Sequence, residues 1–202
     1  MNEVKINFSE KYVSKNPISR GLINNFSKSL SKLISSIKFY NILDVGCGEG
    51  VMLASMQRYL IDKECYAIDI DYRNIRDAKI NFPGGKYSQG SIYELKFDND
   101  SFDLVTCLEV LEHLEDPVKG LSEIQRVARQ HVILSVPREP IWRILNMTRL
   151  KYWSKLGNTP GHLNNWSKNQ FISIIEDHFH IIKILNPLPW TMVLCEVKKI
   201  DS

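Results

Sequence analysis

Three glycines at alternate positions carry the clearest chemical signal in the sequence. Gly46, Gly48 and Gly50 follow the short apolar run 41–45, and an apolar stretch begins at Val51. We interpret the run as a buried strand, the glycines as a turn and the next stretch as the start of a helix. Glycine lets the backbone adopt a positive φ and approach a ligand closely, and a helix N-terminus attracts anions. The pattern predicts a cradle for a small ligand.

A carboxylate about twenty residues beyond the turn completes this cradle. Residues 64–69 are typical of a second strand, and Asp69 stands at its end. An acid at the tip of the second strand of a βαβ unit is placed to bind ribose hydroxyls. The spacing is G-x-G-x-G and differs from the G-x-G-x-x-G of dinucleotide-binding proteins. The combination predicts a nucleoside-binding site.

The elements that must position these residues alternate along the chain. We predict strands near 41–45, 65–69, 85–89, 103–108 and 131–136, and helices near 50–60, 72–79 and 117–129. This alternation favours a parallel α/β sheet that is doubly wound, with helices on both faces and ligands at the carboxyl ends of the strands. Before the core, a helix capped by Ser19 should span Leu22 to Ile37, and Ser167 should cap a helix after it. The apolar segments 179–185 and 190–197 predict a terminal hairpin.

The composition is that of one globular domain of 202 residues, with 44% hydrophobic and 24% charged residues. A net charge of +3 does not by itself argue for a nucleic-acid partner. The four cysteines form no C-x-x-C pair, so we expect reduced thiols in a cytoplasmic protein and no metal site. We also expect no secretory signal and no transmembrane segment, because the N-terminus is polar and no apolar run is long enough.

Three segments together resemble the class I S-adenosylmethionine (SAM)-dependent methyltransferases. They are ILDVGCGEG from Ile42, YAIDID from Tyr66 and FDLVTCLEVLEHLEDP from Phe102. The resemblance covers roughly residues 40–136 and is strongest to the type-11 branch, which includes quinone-biosynthesis enzymes. It implies a Rossmann-like sheet of seven strands, mostly parallel with an antiparallel C-terminal hairpin strand. It also implies SAM as cofactor and S-adenosylhomocysteine (SAH) as product.

The resemblance further implies how a single domain over 1–202 is organised. Its parts are an N-terminal cap and helix (1–39), a SAM-binding core (40–136), a helical acceptor-lid insert (137–165), and a helix with the C-terminal hairpin (166–202). Tyr12 is a candidate lid residue over SAM, or else a surface aromatic. The basic and aromatic insert residues, among them Trp142, favour either a lid for an anionic or amphiphilic acceptor or a helix with a solvated basic face.

The cofactor contacts that the resemblance implies lie at the ends of four strands. They are Asp44, Gly46, Cys47, Gly48, Gly50, Asp69, Ile70, Ser91, Ile92, Leu108 and Glu109. Ser91 departs from the family pattern, which has an aspartate there to reach the adenine amino group. Serine offers a shorter and neutral acceptor at this position.

Glu112, His113 and His162 are the candidate catalytic residues. Glu112 and His113 follow the fourth strand, in the segment that in the family faces the acceptor. A neutral imidazole there can take a proton from an acceptor hydroxyl, or the pair can simply shape the turn. His162 lies in the loop after the insert and either lines the acceptor pocket or is structural.

The resulting hypothesis is a methyltransferase for a small-molecule acceptor, with O-methylation slightly favoured. Two alternatives stay open: a methyltransferase that acts on RNA or protein, and a non-catalytic SAM-binding subunit that activates a partner. The sequence contains no separate RNA-binding motif that would favour the first alternative. The oligomeric state does not follow from the sequence.

Overall fold

The computed structural model describes residues 17–148, 159 and 161–198, and within them seven strands form one sheet. The strands are β1 (Asn41–Val45), β2 (Glu64–Asp69), β3 (Gly85–Gln89), β4 (Phe102–Leu108), β5 (Ala128–Pro137), β6 (Phe179–Leu185) and β7 (Trp190–Val197). Their order is β3-β2-β1-β4-β5-β7-β6. Strand β7 runs antiparallel to both neighbours, and the other paired strands are parallel. The predicted sheet and its C-terminal hairpin are therefore confirmed.

In the part of the chain that the structure describes, six α-helices and two short 3₁₀ turns accompany these strands. They are α1 (Pro17–Ile34), α2 (Val51–Ser55), α3 (Tyr72–Asn81), α4 (Pro117–Val127), α5 (Ile141–Thr148) and α6 (Lys168–Glu176), with 3₁₀ turns at Gln57–Tyr59 and Leu111–His113. The helix predicted over 50–60 is thus interrupted after Ser55. Among the described residues, no helix is both long and apolar enough to cross a membrane.

The start of α1 corrects one sequence prediction. The helix begins at Pro17, whose fixed φ suits the first turn, and Ser19 lies inside it as a buried residue rather than as its cap. By contrast, Ser167 caps α6 as predicted: its hydroxyl accepts from the Gln170 N–H, and the Gln170 side chain accepts from the Ser167 N–H.

Apolar side chains cover both faces of the sheet and form two clusters. One face packs against α1, α2 and α3 through residues such as Leu30 and Leu53, and the other against α4 and α6 through Ile124 and Phe171. This is the doubly wound arrangement that the alternating pattern predicts. The first cluster also joins the two ends of the fold, because Phe26 of α1 meets Trp190 of β7 edge to face with ring centroids 5.1 Å apart.

The insert helix α5 buries a different side from the one that its periodicity predicts. The periodicity of the insert predicts one apolar side formed by Ile141, Ile144, Leu145 and Thr148, but Ile144 is 51% exposed and Trp142 is buried. The indole accounts for this difference, since its N–H donates to Thr159 Oγ1 at 2.8 Å and its ring contacts Trp190. The insert residues from 149 to 158, and Tyr12, lie outside the described residues.

Candidate active site

The glycine turn is tied to the end of β2 by hydrogen bonds. The N–H groups of Gly46 and Cys47 both donate to Ile68 O, at 2.8 and 2.9 Å. The Gly48 N–H donates to Asp69 Oδ2 at 2.8 Å. The three glycines have φ values of 74°, 53° and 74°, which side-chain-bearing residues rarely adopt. The turn therefore has the strained backbone geometry that its glycines predict.

Each glycine meets a different requirement. A Cβ added to Gly46 would stand 2.4 Å from Val110 Cγ2, and one added to Gly50 would stand 3.0 Å from Cα and Cβ of Ala78 in α3. At Gly48 an added Cβ would meet nothing within 4 Å. Packing of the protein thus excludes side chains at the first and third positions, and leaves open space at the second.

Asp69 is buried and holds the turn in place. Its Oδ2 accepts from Gly48, and its Oδ1 accepts from the Asp71 N–H at 2.9 Å and the Asn74 amide at 3.0 Å. A carboxylate has about four acceptor positions, so one is left for a ligand hydroxyl. The residue predicted to bind ribose thus also organises the loop around it.

Asp44 supplies a second buried carboxyl group beside the turn. Burial raises its pKa to about 6, a hydrogen bond from Thr106 Oγ1 at 2.6 Å opposes this rise, and the nearby charge of Asp69 adds to it. The raised pKa means that the ionised form of Asp44 is less favourable at this buried position than in water. A cationic ligand group would stabilise the ionised form.

The carboxyl ends of β1, β2 and β4 and the residues after β3 enclose a cleft of about 430 Å³. The lining includes all but one of the predicted cofactor residues: Asp44, Gly46, Cys47, Gly48, Asp69, Ile70, Ser91, Ile92, Leu108 and Glu109. Gly50, predicted with them, is absent from the lining and packs against α3. A volume of this size is within the range of small-molecule sites.

Several lining residues have a clear structural partner as well. Ser91 Oγ accepts from the Tyr93 N–H at 3.2 Å, so the serine that replaces the family's aspartate closes a local turn. Glu109 has φ of 60°, and its carboxylate accepts from Ser135 Oγ at 2.9 Å and Trp190 Nε1 at 2.5 Å. Burial raises the pKa of the Cys47 thiol far above its usual range, so the thiol stays protonated.

The three candidate catalytic residues meet at one end of this cleft. His113 lines it, and His113 Nε2 lies 4.0 Å from Oε1 of Glu112, whose side chain is 2% exposed. The His113 and His162 rings contact edge to face, with centroids 4.9 Å apart. His113 Nδ1 is 2.9 Å from Gly161 O, and because a carbonyl only accepts, Nδ1 carries the proton in the neutral imidazole and Nε2 carries the lone pair.

Residues that sequence reasoning missed hold this trio together. The Leu163 and Asn164 N–H groups donate to the backbone oxygen of Glu112, and the Asn164 amide donates to Leu114 O at 2.6 Å. The Trp142 ring stacks on His162, with centroids 6.0 Å apart. The loop after the insert is therefore bound directly to the turn after β4, a contact that no local pattern indicates.

Comparison with known proteins identifies a methyltransferase domain in the chain. A family model described as a methyltransferase domain, of type 11, matches residues 43–136. The chain is 28% identical over 157 residues to the ubiquinone biosynthesis O-methyltransferase of Alkalilimnicola ehrlichii, covering 69% of this chain and 63% of that protein. Over residues 43–136 the chain matches the methyltransferase domain of class I SAM-dependent enzymes.

Other relatives agree on the fold and on the domain. An uncharacterised methyltransferase of Schizosaccharomyces pombe is 33% identical over 101 residues, which are 44% of this chain and 36% of the relative. The SAH-bound magnesium protoporphyrin IX methyltransferase of Synechocystis aligns with a TM-score of 0.69 at 18% identity, over 94% and 92% of the two chains. The chain thus spans between about a third and two thirds of the length of these first two curated relatives.

The cleft fits SAM, the cofactor of class I methyltransferases. The open space beside Gly48 admits a ligand where a side chain would otherwise stand. Asp69 retains an acceptor position for ribose hydroxyls, and buried Asp44 favours a ligand that carries positive charge. Ile92 and Leu108 add apolar surface between these polar groups. The residues present therefore match a cationic nucleoside.

Proposed function

We propose that this methyltransferase transfers a methyl group from SAM to a hydroxyl of a small-molecule acceptor. The observation that carries the proposal is His113, which lines the SAM cleft beyond β4 and has Glu112 and His162 beside it. SAM supplies an electrophilic methyl group on a sulfonium; its transfer to a hydroxyl gives a methyl ether, SAH and one proton.

The chain's own residues bind and orient the reactants. The glycine turn and Asp69 hold the nucleoside, and Asp44 stabilises its positively charged part. His113 Nε2 is turned by the Nδ1 contact to Gly161 so that it can accept a hydrogen bond from the acceptor hydroxyl. Catalysis then depends mainly on alignment of the hydroxyl with the methyl group and on exclusion of water.

The relatives favour oxygen as the acceptor atom, because several are named as O-methyltransferases of ubiquinone biosynthesis. A preference for an anionic or amphiphilic acceptor rests chiefly on insert residues between 149 and 155, which lie outside the described residues. The acceptor that the described residues and the relatives support is a small molecule with a hydroxyl group.

An acceptor panel tests the proposal. Purified chain and SAM would be combined with phenols, aliphatic alcohols, amines and bulk tRNA, and SAH release would be measured. We expect SAH release with a hydroxyl compound. SAH release with tRNA, or with the purified chain alone as the acceptor, would overturn the small-molecule assignment.

Replacement of His113 by glutamine tests the orienting role. We expect KM for the acceptor to rise, with SAH affinity by calorimetry unchanged. His178→Gln is the matched control, since His178 is a half-buried histidine bonded to Gln125 outside the cleft. Wild-type kcat and KM in His113→Gln would remove His113 from the reaction.

A further inference from the structure

We infer that Glu112, His113 and His162 bind a divalent transition-metal ion, such as Zn²⁺, at the acceptor end of the cleft. Each residue offers one ligand atom, and these three atoms lie within 4.8 Å of one another. Nitrogen and oxygen ligands of one Zn²⁺ stand about 3.0–3.5 Å apart, given bond lengths of about 2.0–2.2 Å. Side-chain movements of about an ångström would therefore bring all three atoms into coordination distance.

The hydrogen bonding of His113 is that of a metal ligand. Ligating histidines almost always donate the second ring N–H to a carbonyl or carboxylate, which fixes the tautomer and the ring orientation. His113 makes this contact through Nδ1 to Gly161 O at 2.9 Å. The nitrogen left with the lone pair, Nε2, is the one that lies 4.0 Å from the Glu112 carboxylate.

The surroundings hold the three side chains in place and leave one side open. Glu112 and His162 are 2% and 8% exposed, and the loop that carries His162 is bound to the turn that carries Glu112 through Asn164. Trp142 packs on the His162 ring. His113 reaches the cleft. Three protein ligands with an open position are typical of catalytic rather than structural zinc sites.

Ligand chemistry indicates which ions would bind. Two imidazoles and a carboxylate suit Zn²⁺, Fe²⁺, Co²⁺ or Ni²⁺ better than Mg²⁺ or Ca²⁺, which prefer oxygen ligands. A divalent ion would also supply the positive charge that a carboxylate at 2% exposure favours. The sequence alone predicts no metal site, because the four cysteines form no C-x-x-C pair. His162 lies far from His113 along the chain, and the loop contacts bring the two residues together.

This inference rests on the proposed function for the role of the ion. An acceptor hydroxyl in the open position would have its pKa lowered by the ion, as happens to zinc-bound water, and its proton would pass to solvent. His113 Nε2 would then bind the ion, and the ion would orient the acceptor oxygen.

Metal titration without SAM or acceptor tests the site. Chelator-treated, tag-free chain would be titrated with Zn²⁺ by calorimetry and with Co²⁺ by visible absorption spectroscopy. We expect one ion per chain and cobalt bands of a nitrogen–oxygen site, without the thiolate bands that cysteine ligation would give. His162→Ala and Glu112→Gln should each weaken binding by at least ~10-fold.

Matched variants and a second assay separate the possible outcomes. His178→Ala should bind cobalt as the wild type does, and circular dichroism checks that each variant folds. Wild-type cobalt binding in folded Glu112→Gln and His162→Ala would overturn the inference. Methyl transfer that persists in chelator, from a chain that binds no ion, would overturn the metal site and leave the proposed function intact. Ion binding without methyl transfer to any acceptor would support the metal site and overturn the proposed function.

Discussion

Replacement of Gly48 by alanine should separate cofactor binding from folding. The residue has φ of 53°, in the left-handed region, where a side-chain-bearing residue costs about 1–2 kcal/mol. The added Cβ meets no atom within 4 Å, so no further steric cost arises in the unliganded protein. The free energy of unfolding should therefore fall by only about 1–2 kcal/mol. Because Gly48 lines the cleft, the added methyl group occupies space that the ligand needs. An extra methyl group in a packed site costs about 1–3 kcal/mol, so SAH affinity should fall ~10-fold or more.

Urea unfolding would measure the stability, and calorimetric titration with SAH would measure the affinity. Gly50→Ala is the matched control, since its φ is also positive but its Cβ would stand 3.0 Å from the backbone of Ala78. That variant should lose more stability than Gly48→Ala, by about another 1–3 kcal/mol. Wild-type SAH affinity in Gly48→Ala, or greater stability in Gly50→Ala than in Gly48→Ala, would refute the reasoning.

Three other substitutions test separate parts of the fold. Asp69→Ala should weaken SAH binding by about 1–3 kcal/mol in calorimetry, because a charged acceptor is lost, while Glu64→Ala at the exposed start of the same strand should not. Asp44 has its pKa raised from 3.8 to about 6, so its ionisation destabilises the fold as pH rises through that interval. Asp44→Asn should therefore raise the free energy of unfolding at pH 7.5, by up to about 3 kcal/mol, and unchanged stability there would contradict the assignment. For the wild type, SAM affinity should fall as pH drops below about 6, because Asp44 gains a proton, and the asparagine variant should lack this dependence. Ser167→Ala should lower the free energy of unfolding by about 1 kcal/mol, measured as a lower urea midpoint, and should leave SAH affinity unchanged.

The sheet and the cofactor cleft could be predicted because their signals are local. The first strand runs directly into the glycine turn, Asp69 ends the apolar segment of β2, and the two apolar segments of the hairpin are joined by the short Asn-Pro-Leu-Pro segment. Parallel strands then bring their carboxyl ends to one edge of the sheet, so the cleft residues follow from strand ends alone.

The end of the cleft where Glu112, His113 and His162 meet could be predicted only in part, because its geometry depends on contacts between distant segments. His162 reaches His113 through hydrogen bonds from the loop backbone to Glu112, and Trp142 is buried by its contact with Thr159. The cap of α1 was missed for a different reason. Ser19 matches the preference for a cap, but proline at the first helical position starts the helix two residues earlier.

The edge-to-face contact between Phe26 and Trp190 has a consequence for biosynthesis. Among the described elements, helix α1 is made first and strand β7 last. The apolar face of α1 therefore reaches its partner only after the rest of the sheet has been translated. Until then, Phe26 is exposed hydrophobic surface on a nascent chain, the kind of surface that leads to aggregation or chaperone binding. Packing of α1 onto the sheet is thus complete only after β7 has been translated, even though the glycine turn is made early.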